Sequence, residues 1–405
     1  AKNAFDEIVM ENNLVSGWVI PSKFGYPVDS DEKLIHTAAS LSGLVVLGIA
    51  SEDPTDEETY GVVEPEPGLK AGQEGVGTKV TLKDREKQDV ASIIIGKAVK
   101  DEADRRFVRI PGQRFIYVCE YDPSILKTDF FAWINPKILD FGNRWSISKL
   151  SIDKYSLAKS ALLEIEKSYL ADLVLERNQW TTRSFSDGGD PTAKPLLDVA
   201  ELERVRLALE NFEIQDVNAK SLALAISLRE RKGIPNTFKV VNAIQKYGFF
   251  VDEQVTPARS VGAGGELAFT ETSGIRYRML FGGMTAAEVT GRSNDQRYVM
   301  VSADVDESMF PLPAEPGKQN NSKASNEPPK PPKAGCGFEL TQEDDDRESR
   351  RQYQIKLEER KKKLEAAREV ADKINDRFSN WFYIIDNALY SRLMPSKSVI
   401  VSRNQ

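Results

Sequence analysis

The chain has 405 residues, 40% of them hydrophobic and 29% charged, with a formal net charge of −7. That length exceeds the size at which one hydrophobic core keeps growing, so more than one domain is expected. The acidic balance, with Lys and Arg interleaved among Asp and Glu, excludes a basic nucleic-acid face, and only two cysteines, Cys119 and Cys336, exclude a disulfide framework or a four-cysteine zinc site.

Ile8-Val-Met10 and Gly17-Trp18-Val-Ile-Pro21 are short apolar runs joined by Asn12-Asn13, which predicts a hairpin. Asp29-Ser30-Asp31-Glu32 is an acidic capping stretch, and from Lys33 to Leu41 apolar positions recur at helical spacing. This predicts one amphipathic helix. The longest apolar stretch, Leu41 to Ala50, is broken by Ser42, Gly43 and Gly48 and falls short of the roughly 20 residues a membrane helix needs. Beyond Tyr60-Gly61-Val62 the pattern has period two over Thr78–Leu82, Ala91–Lys97, Arg106–Ile110 and Phe115–Tyr121. Turns at Asp84-Arg85, Asp101 to Asp104 and Pro111-Gly112 make these an antiparallel meander. Asp122 to Phe141 reads as helical turns closing the module, with Phe130, Phe131 and Trp133 as packing groups.

A second series of elements follows in the same order. Ile147–Ile152 and Leu170–Glu176 are strand-like, Gln179-Trp180 matches the earlier Trp18 strand, and Asp198 to Leu209 is a helix where Lys33 to Leu41 stood. Tyr247-Gly248-Phe249 matches Tyr60-Gly61-Val62, Met279-Leu-Phe-Gly282 aligns with Ile93-Ile-Ile-Gly96, and Arg297-Tyr-Val with Arg106-Phe-Val. The expectation is two tandem copies of one α+β module, each an antiparallel sheet packed with one or two helices. The first spans 1–141, and the second spans 142–310 with an insertion around Ser221 to Thr237.

Seven prolines between Pro311 and Pro332 mark 311–338 as an extended linker. Residues 339–405 then form a long charged helix and a terminal strand expected to dock on the second module. Asp344 to Asp346 open the helix and Lys361 to Lys363 lie further along, as the helix dipole favours. Leu357, Leu364, Ala367, Ala371, Ile374, Phe378 and Trp381 form an apolar seam interrupted by Arg360. Trp381-Phe-Tyr-Ile-Ile385 reads as a strand that adds an edge to a sheet.

Chemistry-bearing motifs are few. His36, the single histidine, sits in the first helix without a ligand partner and reads as a surface or boundary residue; one histidine rules out a metalloprotease helix. Cys119 lies in a strand and reads as a small buried hydrophobe, and Cys336 as a free thiol between glycines. Gly262-Ala-Gly-Gly265 and Ile95-Gly96-Lys97 lack the remaining residues of a phosphate loop and read as a hairpin approach and a strand. The acids of Glu52-Asp53 and Asp56-Glu57-Glu58 read as solvated loops. Trp18, Tyr26, Trp145 and Trp180 could stack on sugars, but core packing accounts for them more simply. No catalytic residue, metal site or cofactor is expected.

Gly17-Trp-Val-Ile-Pro-Ser22, Gly25-Tyr-Pro-Val-Asp29, Tyr60-Gly-Val, Gly77-Thr-Lys-Val-Thr-Leu82, Ile93-Ile-Ile-Gly-Lys97 and Arg106-Phe-Val-Arg109 resemble the bacterial domain-of-unknown-function family numbered 4340. The resemblance is close from Ile8 to Phe141 and weaker through the second copy and the Trp381 region. It implies an auxiliary component of gliding-type ABC transport systems, extracytoplasmic and held by an N-terminal membrane helix. The start, Ala1-Lys-Asn-Ala-Phe5, has no signal-peptide features, so upstream sequence and the usual opening strand of the first module are expected to precede it. The family has no established catalytic residues to carry over. The expected function is therefore a non-catalytic envelope scaffold or adaptor that binds protein partners, with a carbohydrate- or peptidoglycan-binding module as the alternative.

Overall fold

The computed structural model describes residues 1–13, 17–29, 31–66, 73–122, 125–157, 165–187, 195–230, 234–235, 237–252, 259–285, 296–316 and 342–401. The chain is α+β and divides into two compact units, Ala1–Pro136 and Lys137–Gln405.

The first unit opens with a small antiparallel sheet of β1 (Glu11–Asn13), β2 (Gly17–Ile20) and β3 (Tyr26–Pro27). Asn12 pairs with Trp18, so Asn12-Asn13 belong to a strand and not to the predicted turn; that turn falls outside the described residues. After α1 (Asp31–Ser42) come β4 (Val46–Ser51), the single turn α2 (Glu57–Tyr60), β5 (Thr78–Lys83), β6 (Asp89–Val99), β7 (Glu102–Arg109) and β8 (Ile116–Glu120). They form a five-stranded antiparallel sheet in the order β4-β8-β7-β6-β5. Successive side chains of a strand point to opposite faces. Ile95 accordingly joins Leu41, Val80 and Tyr121 on one face, while Ile94 joins Val62 and Ile116 on the other. A sheet covered on both faces explains the unbroken apolar triplet Ile93-Ile94-Ile95.

The stretch predicted as helical turns from Asp122 contains, among its described residues, only one 3-10 turn, Phe130–Trp133. Trp133 is buried and its indole N–H donates to the Lys127 carbonyl at 2.8 Å, so tertiary packing rather than helix propensity fixes this segment. Phe141 belongs to the second unit, where its ring meets Phe269 at 5.1 Å.

The second unit begins with three long strands, β9 (Ile147–Leu157), β10 (Ile165–Glu176) and β11 (Gln179–Ser186). Then come α3 (Val199–Glu210), β12 (Asp216–Ala219), α4 (Leu222–Arg229), α5 (Phe238–Gln245) and the hairpin of β13 (Phe249–Asp252) and β14 (Arg259–Gly262). Asp198, Ser221 and Thr237 cap the three helices through hydrogen bonds accepted from Glu201, Leu224 and Val240. The unit closes with β15 (Glu266–Glu271), β16 (Ile275–Met284), β17 (Gln296–Val305), α6 (Gln342–Phe378), β18 (Trp381–Asp386), α7 (Asn387–Leu393) and α8 (Lys397–Ile400). Eight strands make one sheet in the order β11-β10-β9-β15-β16-β17-β18-β12. Leu224, Val240 and Ile244 of α4 and α5 pack with Phe249, Tyr298, Met300, Phe382 and Ile384 in one buried cluster.

β18 is not the edge strand its sequence predicts. It pairs with β17 on one side and β12 on the other, because α6 is an insertion within the β17–β18 hairpin and the chain returns into the sheet after it. Most of the predicted linker lies outside the described residues. The C-terminal half of α6 is anchored: Leu364, Ala367, Ala371 and Phe378 are buried, and the interrupting Arg360 donates to the Phe310 carbonyl at 2.7 Å. β18 covers only the Gln296–Val299 part of β17. Further along, Asn375 takes the place of a strand: its side-chain oxygen accepts from the Ala303 amide at 2.8 Å and its amide donates to the Ala303 carbonyl at 2.7 Å.

The two units share a topology. In the first the order is β5-β6-β7-β8-β4, and in the second β15-β16-β17-β18-β12, with each adjacent pair antiparallel. Ile95 pairs with Val108 and Ala98 with Arg106 across an irregularity; Phe281 pairs with Val299 and Met284 with Arg297 across another. Both irregularities fall just after the aligned glycines, Gly96 and Gly282.

Candidate functional site

In each unit the Tyr-Gly turn and the Gly-ended strand meet at a backbone crossing. In the first unit α2 ends at Gly61, whose φ of 71° is left-handed, and the chain passes over β6 at Gly96. A Cβ at Gly96 would lie 2.5 Å from the Tyr60 carbonyl oxygen. Lys97 donates to the Glu58 and Thr59 carbonyls at 3.2 and 3.0 Å, and Arg109 to the Val62 carbonyl at 3.2 Å and Glu57 at 3.1 Å. Tyr60 meets Phe107 edge-on at 4.5 Å. In the second unit Gly248 has φ of 75°, a Cβ at Gly282 would lie 2.3 Å from the Tyr247 oxygen, and Tyr247 meets Tyr298 edge-on at 4.8 Å. These residues hold a segment against a sheet and form no ligand site.

His36 is exposed on α1, and Cys119 is buried, where desolvation pushes its thiol pKa up and disfavours the reactive thiolate. Cys336 lies outside the described residues. Of the four aromatics, two lie in each unit. In the first unit Tyr26 is buried and Trp18 half-buried, while in the second Trp180 is half-buried and Trp145 is 59% exposed. Trp145 and Trp180 meet at Arg206, a fully buried residue that neither motif nor spacing points to. Its guanidinium carbon lies 5.0 and 5.6 Å from the two ring centroids. Its nitrogens donate to the Arg144 carbonyl at 2.9 and 2.6 Å and to Glu203 at 2.8 Å. The buried cation is satisfied by these groups, and it draws on a π face of each tryptophan.

A concavity of about 410 Å³ lies on the sheet face formed by β9, β10, β15 and β16. Its charges are cross-linked: Arg276 grips Asp304 at 2.7 and 2.9 Å, Arg278 reaches Glu266 at 2.8 Å, and Lys149 reaches Asp306 at 2.7 Å. Burial raises the Asp306 carboxyl, but the hydrogen bonds from Lys149 and Ser308 and the lysine's charge outweigh it and hold it below the usual carboxylate range. Cross-strand ladders of this kind stabilise a polar sheet face. Among the described residues, no group of three or more His, Cys, Asp or Glu is placed to hold a metal ion.

Lys220, at the end of β12, is the most perturbed base. Burial pushes its amine down to about 7, and its nitrogen donates at 2.9 Å to the Phe378 carbonyl at the C-terminus of α6. A folded-state value below the unfolded one means that, between about pH 7 and 10.5, the unfolded chain binds a proton the folded chain does not. Stability should therefore rise with pH through that window, by roughly 1–3 kcal/mol. Urea midpoints at a series of pH values should show this rise for the native chain and lose it in Lys220→Met; an identical slope in the two would refute the assignment.

The surface least explained by folding is β4. It forms the end of its sheet and pairs only with β8. Its apolar side chains are nevertheless open to solvent, with Val46 57%, Leu47 48% and Ile49 56% exposed, as is Val45 just before it at 53%. Native proteins usually blunt such an edge with charge, proline, a bulge or a cover, and β4 has only irregular pairing with β8, at Val46/Gly48 and at Ile49/Ser51. The equivalent β12 carries Asp216 and Asn218, both half-buried. The sequence signal for β4 was the β-branched run itself, which has no polar alternation to mark a strand.

The fold and its surfaces define an antiparallel α+β protein with a strand edge exposed among the described residues. A family model for a domain of unknown function (DUF4340) matches residues 18–225, and the chain belongs to that family. The match covers the first unit from Trp18 onward and continues in the second through β12 into α4. No curated protein and no solved structure matches.

Proposed function

We propose that this chain is a non-catalytic scaffold or adaptor of the bacterial cell envelope, extracytoplasmic and membrane-anchored in its full-length form, which recruits protein components of an ABC-type transport system. It is built, on this reading, from two tandem copies of one module. The shared strand order, the paired glycine crossings and the equivalent Tyr–aromatic contacts support the tandem. The transport and envelope assignment draws on the family resemblance carried by the Gly17-Trp18, Tyr60-Gly61 and Ile95-Gly96-Lys97 elements. No helix among the described residues is long and apolar enough to cross a membrane.

The observation that carries the adaptor reading is the exposed apolar edge of β4. Exposed apolar patches at a sheet edge mark protein contacts far more than chemistry. A photo-crosslinking residue at Val46 of the full-length protein, activated in the native membrane, should form an adduct with an identified transporter subunit or other envelope protein. The same residue at Asn218 of β12 should not. Adducts only with lipid, or none at Val46, would defeat the proposal.

A further inference from the structure

We propose that the concavity on the sheet face of β9, β10, β15 and β16 binds a small polar oxyanion, a carboxylate or a phosphate, between Arg183 on one side and Arg276, Arg278 and Thr270 on the other. This goes beyond the adaptor reading and does not depend on it.

The floor of the concavity is made of short side chains. Ala268 and Thr270 share a face of β15, and Ala268 stands in register between Ser151 of β9 and Arg278 of β16. Thr270 stands in register between Lys149 and Arg276. It is only 2% exposed, yet its hydroxyl has no hydrogen-bond partner among the described residues. Nor is that oxygen among the enclosed side-chain atoms left without a partner, so it opens on the concavity that Thr270 lines. A buried polar group normally has a partner, and a ligand oxygen would supply one.

Arginines form the two walls. On β16, Arg276 commits Nε and Nη2 to Asp304, and Arg278 commits the same two nitrogens to Glu266. The Nη1 group of each has no partner among the described residues. Across the face, β10 pairs with β11 from Asp172 to Ser184 and then from Leu173 to Thr182, so Arg183 is the extra residue of a β-bulge. Bulges re-aim side chains, and Arg183 lines the concavity. Arg183 is exposed and, among the described residues, has no ion-pair or hydrogen-bond partner. Both oxygens of Asp172 already accept, from Ser151 at 2.6 Å and Ser184 at 2.5 Å.

These groups select the ligand. β11 and β16 are four strand spacings apart, about 19 Å. Long arginine side chains lining the concavity from both narrow that gap to the scale of a small molecule, as does its volume of about 410 Å³. The uncommitted groups are donors, three guanidinium groups and one hydroxyl, and planar guanidinium donors match carboxylate and phosphate oxygens. The lining acids are already engaged, Asp172 by hydroxyls, Glu266 by Arg278 and Asp306 by Lys149, which disfavours a cation. No aromatic ring lines the concavity among the described residues, so the ligand is held by polar contacts and not by stacking.

The test is isothermal titration of the complete 405-residue chain with three probes on one scaffold: N-acetylglucosamine, its phosphate ester, and N-acetylmuramic acid, which adds a carboxylate. Saturable binding of an anionic probe is expected, with none of the neutral sugar, and the arm that binds identifies the oxyanion. Arg183→Gln should weaken that binding at least ~10-fold. Thr270→Val should weaken it about 3-fold with melting unchanged or raised, since the hydroxyl it removes makes no bond within the fold. Arg114→Gln, in the first unit, should bind as the native chain does. Binding of neither anion, equal binding of the neutral sugar, or equal losses in Arg183→Gln and Arg114→Gln would overturn the proposal. So would a Thr270→Val chain that binds as tightly as the native one. Failure of all three probes would leave the crosslink expected at Val46 untouched.

Discussion

Gly248→Ala is expected to unfold the second unit, with a loss of about 4 kcal/mol or more. The new Cβ would lie 2.1 Å from the Gly283 nitrogen and 2.6 Å from its Cα, at a backbone φ of 75° that side-chain-bearing residues rarely adopt. Every close atom here is backbone, so no side chain can move aside. The corresponding Gly61→Ala should cost less, about 1–2 kcal/mol, because its nearest neighbour is the Lys97 Cγ at 2.7 Å, part of a flexible chain, and the nearest backbone atom is at 3.2 Å. Denaturant unfolding followed by hydrogen exchange on each unit would separate the two. Equal losses would mean that strained φ, not the close approach, sets the cost.

Asn375→Leu should destabilise the second unit by roughly 2–4 kcal/mol. The substitution is close in size, but it strands the buried amide and carbonyl of Ala303, both of which Asn375 now satisfies. Asn375→Asp should do no better: it can still accept from the amide but cannot donate to the carbonyl, and it buries a charge. The sharpest readout is amide exchange at Ala303. If that proton stays protected in Asn375→Leu, the side chain is not the strand substitute described.

The sequence made the meander of β5 to β8 and the core of β15 to β17 legible, because each strand is apolar on at least one face and ends at a glycine or a turn. The Tyr-Gly pairs were legible as turns. Their partners were not: that Gly61 lies across Gly96 is a contact between segments, visible only when the sheet is assembled. β12 was missed because Asp216-Val-Asn-Ala219 has only two small apolar residues and, among the described strands, pairs with β18 alone. β18 was recognised as a strand but misplaced as an edge, since pairing on both sides depends on residues far along the chain. Arg206 and Lys220 resemble any solvated base in sequence; burial by α3 packing and by the C-terminus of α6 gives them their character. β4 was opaque for the opposite reason, being apolar where burial does not follow.

The insertion of α6 within the β17–β18 hairpin also orders the events of folding. β12 is synthesised well before β18, its sheet neighbour among the described strands. Until then the aromatic cluster of Phe249 and Tyr298 lacks Phe382 and Ile384, and β17 has neither Asn375 nor β18 along its far side. The five strands of the first unit's sheet all lie between Val46 and Glu120 and can pair as soon as that stretch emerges. The second unit must hold an unfinished sheet until Trp381–Asp386 arrives, so its assembly is slow, of high contact order, and dependent on that segment.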